Sequence, residues 1–206
     1  MNRGFTIIEL MVSIAIFVIM TTVVVAKYGN FNQSTLLTDT AYDIALVVRL
    51  AQTYGLSVKN SAGSGGTNFN VPYGVDFNDS QAAASCGGAT SDTKTMILFA
   101  DSNPVGTPDG VCSASDGNIN SYIITRGAVI SSMCASPDQA TCHDAGNTVS
   151  RLSVTFLRPN PEAIICGSNG GATTCTSKYA EITIRGTDGS LRTVVLNQSG
   201  QISVAR

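Results

Sequence analysis

Residues 5–26 read FTIIELMVSIAIFVIMTTVVVA, one apolar run of 22 residues that carries a single charge, Glu9. At about 1.5 Å per residue, a helix of that length spans roughly 33 Å and crosses the hydrocarbon core of a bilayer. The basic Arg3 precedes the run and Lys27 closes it. Positive charge in the short leader MNRG predicts a cytoplasmic N-terminus and an extracytoplasmic remainder. An ordinary secretory signal has a shorter apolar stretch followed by a small-residue cleavage site. Here the small residue, Gly4, comes before the run.

A plain anchor accounts for the length of this run but not for Glu9. A carboxylate in a membrane helix costs about 2.5–3.5 kcal/mol on insertion scales, so it needs a partner. Cleavage between Gly4 and Phe5 creates a free α-amine on Phe5, at position i to the i+4 of Glu9. In a bundle of such helices, that amine on a neighbouring copy neutralises Glu9 and sets the axial register.

Beyond the run, Leu37, Ala41, Ile44, Val48, Ala51 and Leu56 recur at helical spacing. Asp39, Asp43 and Arg49 occupy the opposite face. The pattern predicts one helix from about Thr6 to Lys59, loosened near Gly29-Asn30, with two separate helices as the other reading. Residues 1–4 are then a leader and 5–27 a transmembrane and assembly helix. Residues 28–60 are its amphipathic continuation, and 61–206 form a β-rich globular domain. The stretch SAGSGGTNFN at 61–70 reads as a flexible loop without a phosphate-binding motif.

Strand-like segments follow at Val71–Phe77, Thr95–Ala100, Ser121–Arg126, Arg151–Arg158, Tyr179–Arg185, Leu191–Asn197 and Gln201–Ala205. Asp188-Gly189 signals a hairpin, and Ser199-Gly200 another turn. The fold class expected is α+β: a long N-terminal helix whose second half packs on an antiparallel sheet domain.

Only 13% of residues are charged and the net charge is −2, which excludes a protein dominated by a basic nucleic-acid surface. All six cysteines lie between Cys86 and Cys175, in stretches that read as Gly/Ser/Asp-rich loops. That clustering suits an oxidising compartment. Spacing suggests the local bridges Cys134–Cys142 and Cys166–Cys175, which leaves Cys86–Cys112, although six cysteines admit many pairings. Zinc is disfavoured, because no Cys-x-x-Cys pair accompanies His143, and no metal or other cofactor is expected. His143 is the lone histidine and sits beside Cys142, so an exposed structural role outweighs a catalytic one. No nucleophile motif is present, and an enzyme is not expected. Asp101, Asn103, Asp109, Asp116 and Asn118 offer oxygen ligands for calcium without an EF-hand spacing. Turn formation explains them more simply.

Gly4-Phe5-Thr6-Ile7-Ile8-Glu9-Leu10, behind a short basic leader, closely resembles the class III signal of type IV pilins and pseudopilins. The resemblance implies cleavage between Gly4 and Phe5 by a prepilin peptidase, N-methylation of Phe5, and Glu9 as the assembly glutamate. Its implied partners are other pilin or pseudopilin subunits, the inner-membrane assembly platform and membrane lipid. It also implies a single-pass inner-membrane precursor that enters a pilus or pseudopilus. Many major pilins carry a proline within this helix, whereas here the first proline is Pro72. The Tyr73-Gly74-Val75 strand, Phe156-Leu157-Arg158-Pro159-Asn160-Pro161 and Ser199-Gly200-Gln201-Ile202-Ser203-Val204 resemble the H-type minor pseudopilins and fimbrial T-type minor pilins. Some T-type relatives bind DNA through basic residues near the C-terminus, where Arg185, Arg192 and Arg206 lie. The resemblance therefore implies a structural minor subunit. A pilus-borne module for DNA uptake or surface adhesion is the alternative, with nucleic-acid binding left open.

Overall fold

The computed structural model describes residues 4–57, 71–79, 84–102, 109–142, 144, 146–170 and 173–205, apart from the side chains of residues 27–32, 84 and 118. The loop expected at 61–70, and with it Lys59, lies outside the described residues.

α1 (Ile7–Leu56) is one helix of 50 residues, which decides between the continuous and the broken readings. Thr6 caps it: its backbone is extended, and its Oγ1 accepts the N–H of Glu9 at 3.3 Å. The helix stops short of the expected Lys59. Ser57 turns extended, its N–H donates to Thr53 O, and its hydroxyl donates to Tyr54 O, so the last turn is satisfied from just beyond its end.

The two halves of α1 bury different amounts. Ile7–Ala26 is apolar on every side and wholly exposed. The second half buries Leu37, Thr40, Ala41, Ile44, Ala45, Val48 and Ala51, a stripe at the 3.6-residue period. Small residues at 41, 45 and 51 let the helix sit close to the strands beneath it.

Strands β1 (Tyr73–Asn78), β4 (Thr95–Ala100), β5 (Gly117–Ile123), β8 (Arg151–Phe156), β9 (Ala163–Ser168) and β10 (Thr173–Ser177) form one sheet in the order β10-β9-β8-β1-β4-β5. A second sheet has the order β13-β12-β11-β6-β7. Its members are β6 (Val129–Ser136), β7 (Thr148–Val149), β11 (Tyr179–Arg185), β12 (Leu191–Asn197) and β13 (Ile202–Ala205). β2 (Ala84–Cys86) and β3 (Ala89–Ser91) make a separate hairpin. All pairings between these strands are antiparallel. The shared core joins the helix stripe to Val75, Phe77, Val154 and Phe156 of the first sheet and to Ile182, Ile184, Val194 and Leu196 of the second.

Contacts with α1 give the domain a base and a top. At the base, beside the bare half of the helix, Arg192 Nη2 donates to Ser34 Oγ at 2.8 Å and its Nε donates to Thr38 Oγ1 at 3.0 Å. Thr187 Oγ1 donates to Gln33 Oε1, and Arg126 pairs with Asp39 at 3.7 Å. At the top, Gln52 Nε2 donates to Gly200 O at 3.3 Å and Arg49 reaches Ile202 O at 3.5 Å. A Cβ at Gly55 would stand 2.3 Å from the carbonyl oxygen of Phe156, so no larger residue fits there.

Several expected strand limits shift. The third segment begins at Gly117 and ends at Ile123, because Arg126 (φ 63°) and Gly127 (φ 75°) turn the chain into β6. The first begins at Tyr73, the fourth ends at Phe156 before the turn at Arg158-Pro159, and the last begins at Ile202. The cysteine-bearing stretches are not mainly loops. Cys86, Cys134, Cys166 and Cys175 lie in β2, β6, β9 and β10. Every cysteine except Cys175 is buried. The reason is the pairing: β6 and β9 become interior strands of their sheets, where a cysteine packs as a small apolar side chain. The structure joins Cys86 to Cys112, Cys134 to Cys142 and Cys166 to Cys175, with Cα atoms 5.2, 5.6 and 4.0 Å apart.

Candidate functional site: the helix start and the polar clusters

Gly4 is exposed with open space around it, and Phe5 is 80% exposed. In the uncut chain Phe5 precedes the cap and lies outside the helix; the i, i+4 expectation concerns the chain cut after Gly4. The cap hydroxyl of Thr6 starts the helix at Ile7. Sequence reasoning missed this cap, although Thr6-Ile7-Ile8-Glu9 has the T-x-x-E spacing that signals one. Glu9 sits in the first turn, where the helix dipole favours a negative charge.

The other polar side chains of the span close on their own backbone. Ser13 Oγ donates to Glu9 O at 2.8 Å, Thr21 to Phe17 O at 2.9 Å, and Thr22 to Val18 O at 2.7 Å. Glu9 alone within Ile7–Ala26 presents an ionisable side chain to its surroundings, and none of the described residues hydrogen-bonds its carboxylate. The helix start therefore presents an exposed, unobstructed Gly4-Phe5 peptide beside a lone carboxylate on an apolar helix that packs on none of the described residues.

In the domain, the buried carboxylates of Asp76, Asp101 and Asp116 are engaged by neighbouring groups. Asp76 on β1 is fully buried. Its Oδ1 accepts Arg151 Nε at 2.9 Å and Ser153 Oγ at 2.7 Å, and its Oδ2 accepts Ser91 Oγ at 2.8 Å. Burial pushes the Asp76 carboxyl up, against the opposing pull of Arg151 and the two serines. Arg151 also donates to Cys112 O, so this network ties the Cys86–Cys112 crosslink to the sheet. Asp116 accepts from Ser102 N, Ser113 N and Ser113 Oγ; burial raises its carboxyl too.

Asp101 accepts Gly110 N at 2.9 Å and Asp109 accepts Val111 N at 2.9 Å. These carboxylates hold turns. Among the described residues, no three His, Cys, Asp or Glu side chains come together as a metal site. Asn103, the Asn118 side chain and His143 lie outside the described residues.

Arg192 commits Nε and Nη2 to α1, and its Nη1 to Leu191 O at 2.7 Å. Arg185 is exposed at the end of β11, and Arg206 lies outside the described residues.

Residues 1–25 match the family model for the prokaryotic N-terminal methylation motif. No curated protein and no solved structure matches the chain.

Proposed function

The chain is type IV pilin-like at its N-terminus, and from that premise we propose that it is a structural minor pilin or pseudopilin, built into a type IV pilus or type II secretion pseudopilus through α1. The motif points to a structural subunit that assembles with other pilin-type chains after prepilin peptidase processing. The observation that carries the reading is the bare half of α1. It holds twenty residues, apolar on all sides and entirely exposed, with one ionisable group, Glu9. In the precursor the bilayer covers that surface, and in the filament the helices of other subunits replace the lipid.

In this reading the N-terminus is cytoplasmic and the disulfide-bonded domain extracytoplasmic. Cleavage falls between Gly4 and Phe5, and the new amine of Phe5 is methylated. The mature helix keeps its Thr6 cap. The Phe5 amine extends just beyond that cap, where it meets Glu9 of a neighbouring subunit. The absence of proline before Pro72 and the H-type and T-type resemblances support a minor role.

Intact-mass analysis of the filament-associated protein tests this. The expected species lacks MNRG and carries one added methyl group. A chain still beginning at Met1 in cells with an active prepilin peptidase overturns the proposal.

A further inference from the structure

The base of the domain has a composition that subunit assembly leaves unexplained. Ile123 is 70% exposed and Leu191 49%, the two most exposed large apolar side chains among the described residues beyond α1. Both lie at the end from which the membrane helix emerges. Ile123 closes the edge strand β5 opposite Thr95, and Leu191 opens β12 opposite Arg185. The turns around them are in contact, since a Cβ at Gly127 would stand 2.6 Å from Thr187 Cγ2. The turn before β4 joins the same end, because Ile124 N donates to Lys94 O and Ile130 N to Thr93 O.

Charge divides along the same axis. The base, where β1 ends and β8 begins, carries Lys94, Arg126, Arg151, Arg185 and Arg192 against Asp39, Asp79, Asp92 and Asp188. The rest of the described chain from Gln33 onward carries three basic and nine acidic residues. The acidic bulk therefore lies away from the membrane end.

Distance completes the argument. Gln33, which Thr187 contacts, is seven residues past Ala26, or about 10 Å along the helix. The headgroup layer occupies about 5–7 Å beyond the hydrocarbon edge. The remaining gap is shorter than the Debye length of about 8 Å at physiological salt, and helix tilt closes it further on one side.

We propose that the base of the domain, through Ile123, Leu191, Lys94 and Arg185, is a docking foot for the anionic phospholipid headgroups of the membrane that anchors α1. The inference rests on Ile7–Ala26 being the membrane span. The foot holds the unassembled subunit upright with its acidic top facing away, and it lets go when the helix is drawn into a filament.

The chain contains no tryptophan, so a single introduced one reports only its own surroundings. Ile123→Trp, Leu191→Trp and, as a top-end control, the exposed Glu162→Trp are made in the full chain. Each is reconstituted in phosphatidylcholine vesicles with or without a minor fraction of phosphatidylglycerol, with a headgroup spin-labelled lipid as quencher. Phe17→Trp, read with acyl-chain-brominated lipid, reports the span itself. Ile123→Trp and Leu191→Trp should be quenched several-fold more than Glu162→Trp in the anionic vesicles. The difference should shrink in high salt and on adding Lys94→Gln with Arg185→Gln. Equal quenching at the three domain positions, with Phe17→Trp quenched, overturns the foot and leaves the membrane span intact. Equal quenching of Ile123→Trp with and without phosphatidylglycerol refutes the recognition of anionic lipid. An unquenched Phe17→Trp removes the span and the foot together.

Discussion

The two halves of α1 are the same helix under different instructions. In Ile7–Ala26 apolar side chains point in every direction and none is covered; from Leu37 to Ala51 the stripe of Leu37, Ala41, Ile44, Val48 and Ala51 is almost completely covered, while Tyr42 and Leu46 on the other side stay exposed. The difference shows what periodicity encodes. A stripe names a partner within the chain, here the two sheets, whereas an apolar surface without a stripe calls for a surrounding of lipid or like helices. The half that lacks a partner in the chain is also the half with Glu9. Changes in the first half should therefore alter assembly and spare the domain, and changes in the second should do the reverse.

The largest effect is expected at Glu9. Glu9→Leu should insert and be processed normally, because the apolar run drives insertion and the charge penalty is gone. It should nearly vanish from sheared filaments, because an amine–carboxylate pair between subunits is strongly destabilised when one partner is lost. Comparing membrane and filament fractions by immunoblot checks this; equal incorporation would leave a simple anchor as the better account.

In the covered half, Ile44 is fully buried in the shared core. Ile44→Ala should lower domain stability by about 2–5 kcal/mol in denaturant titrations of the micelle-solubilised chain. Membrane insertion and processing should be unchanged. A loss below about 1 kcal/mol would mean that α1 does not seal the core.

A smaller loss is expected at the join between the halves. Arg192→Gln removes charged hydrogen bonds to Ser34 and Thr38, which at this half-buried position contribute about 1–2 kcal/mol. Proteolysis at the base should rise with it. Unchanged proteolysis would show that the hairpin tip does not hold the helix.

The smallest effect concerns pH. Burial raises the carboxyls of Asp76 and Asp116. A carboxyl with a folded pKa above its unfolded value of about 3.9 adds stability as the pH falls through the folded value, and the gain is complete below the unfolded one. Stability should thus hold or rise slightly between neutral pH and about pH 5. The exposed Asp138 and Asp188, whose carboxyls hydrogen bonds to Thr141 and Ser190 hold low, act in the opposite sense only in stronger acid. A steady fall in the denaturation midpoint from neutrality downward would contradict this assignment.

What could be read ahead of the structure was local. The helix declared itself by length and period. Leu191–Asn197 and Tyr179–Arg185 declared themselves by alternation on either side of Asp188-Gly189. The segments that went unread, such as VISSMCAS at β6 and TTCTS at β10, are rich in serine, threonine and cysteine, and become strands because a neighbour pairs with them. The sheet order was equally hidden: β1 finds β8 across some seventy residues, with Asp76 opposite Ser153. The methylation motif that spans Gly4, Phe5 and Glu9 was legible because its residues are neighbours in sequence. The base of the domain was not, since only folding brings Arg126 to Asp39 and Arg192 to Ser34.

The clamps at both ends of the covered half have a mechanical consequence. α1 is about 75 Å long as a straight rod of 50 residues, and the domain grips it at Gln33–Asp39 and again at Arg49–Gly55. A beam held at two separated supports resists rotation that a single hinge would permit. β8 and β12 both run from the base to the top, alongside the helix. An axial pull on the rod therefore loads the interface in shear, across all of its contacts at once, rather than peeling them apart one by one.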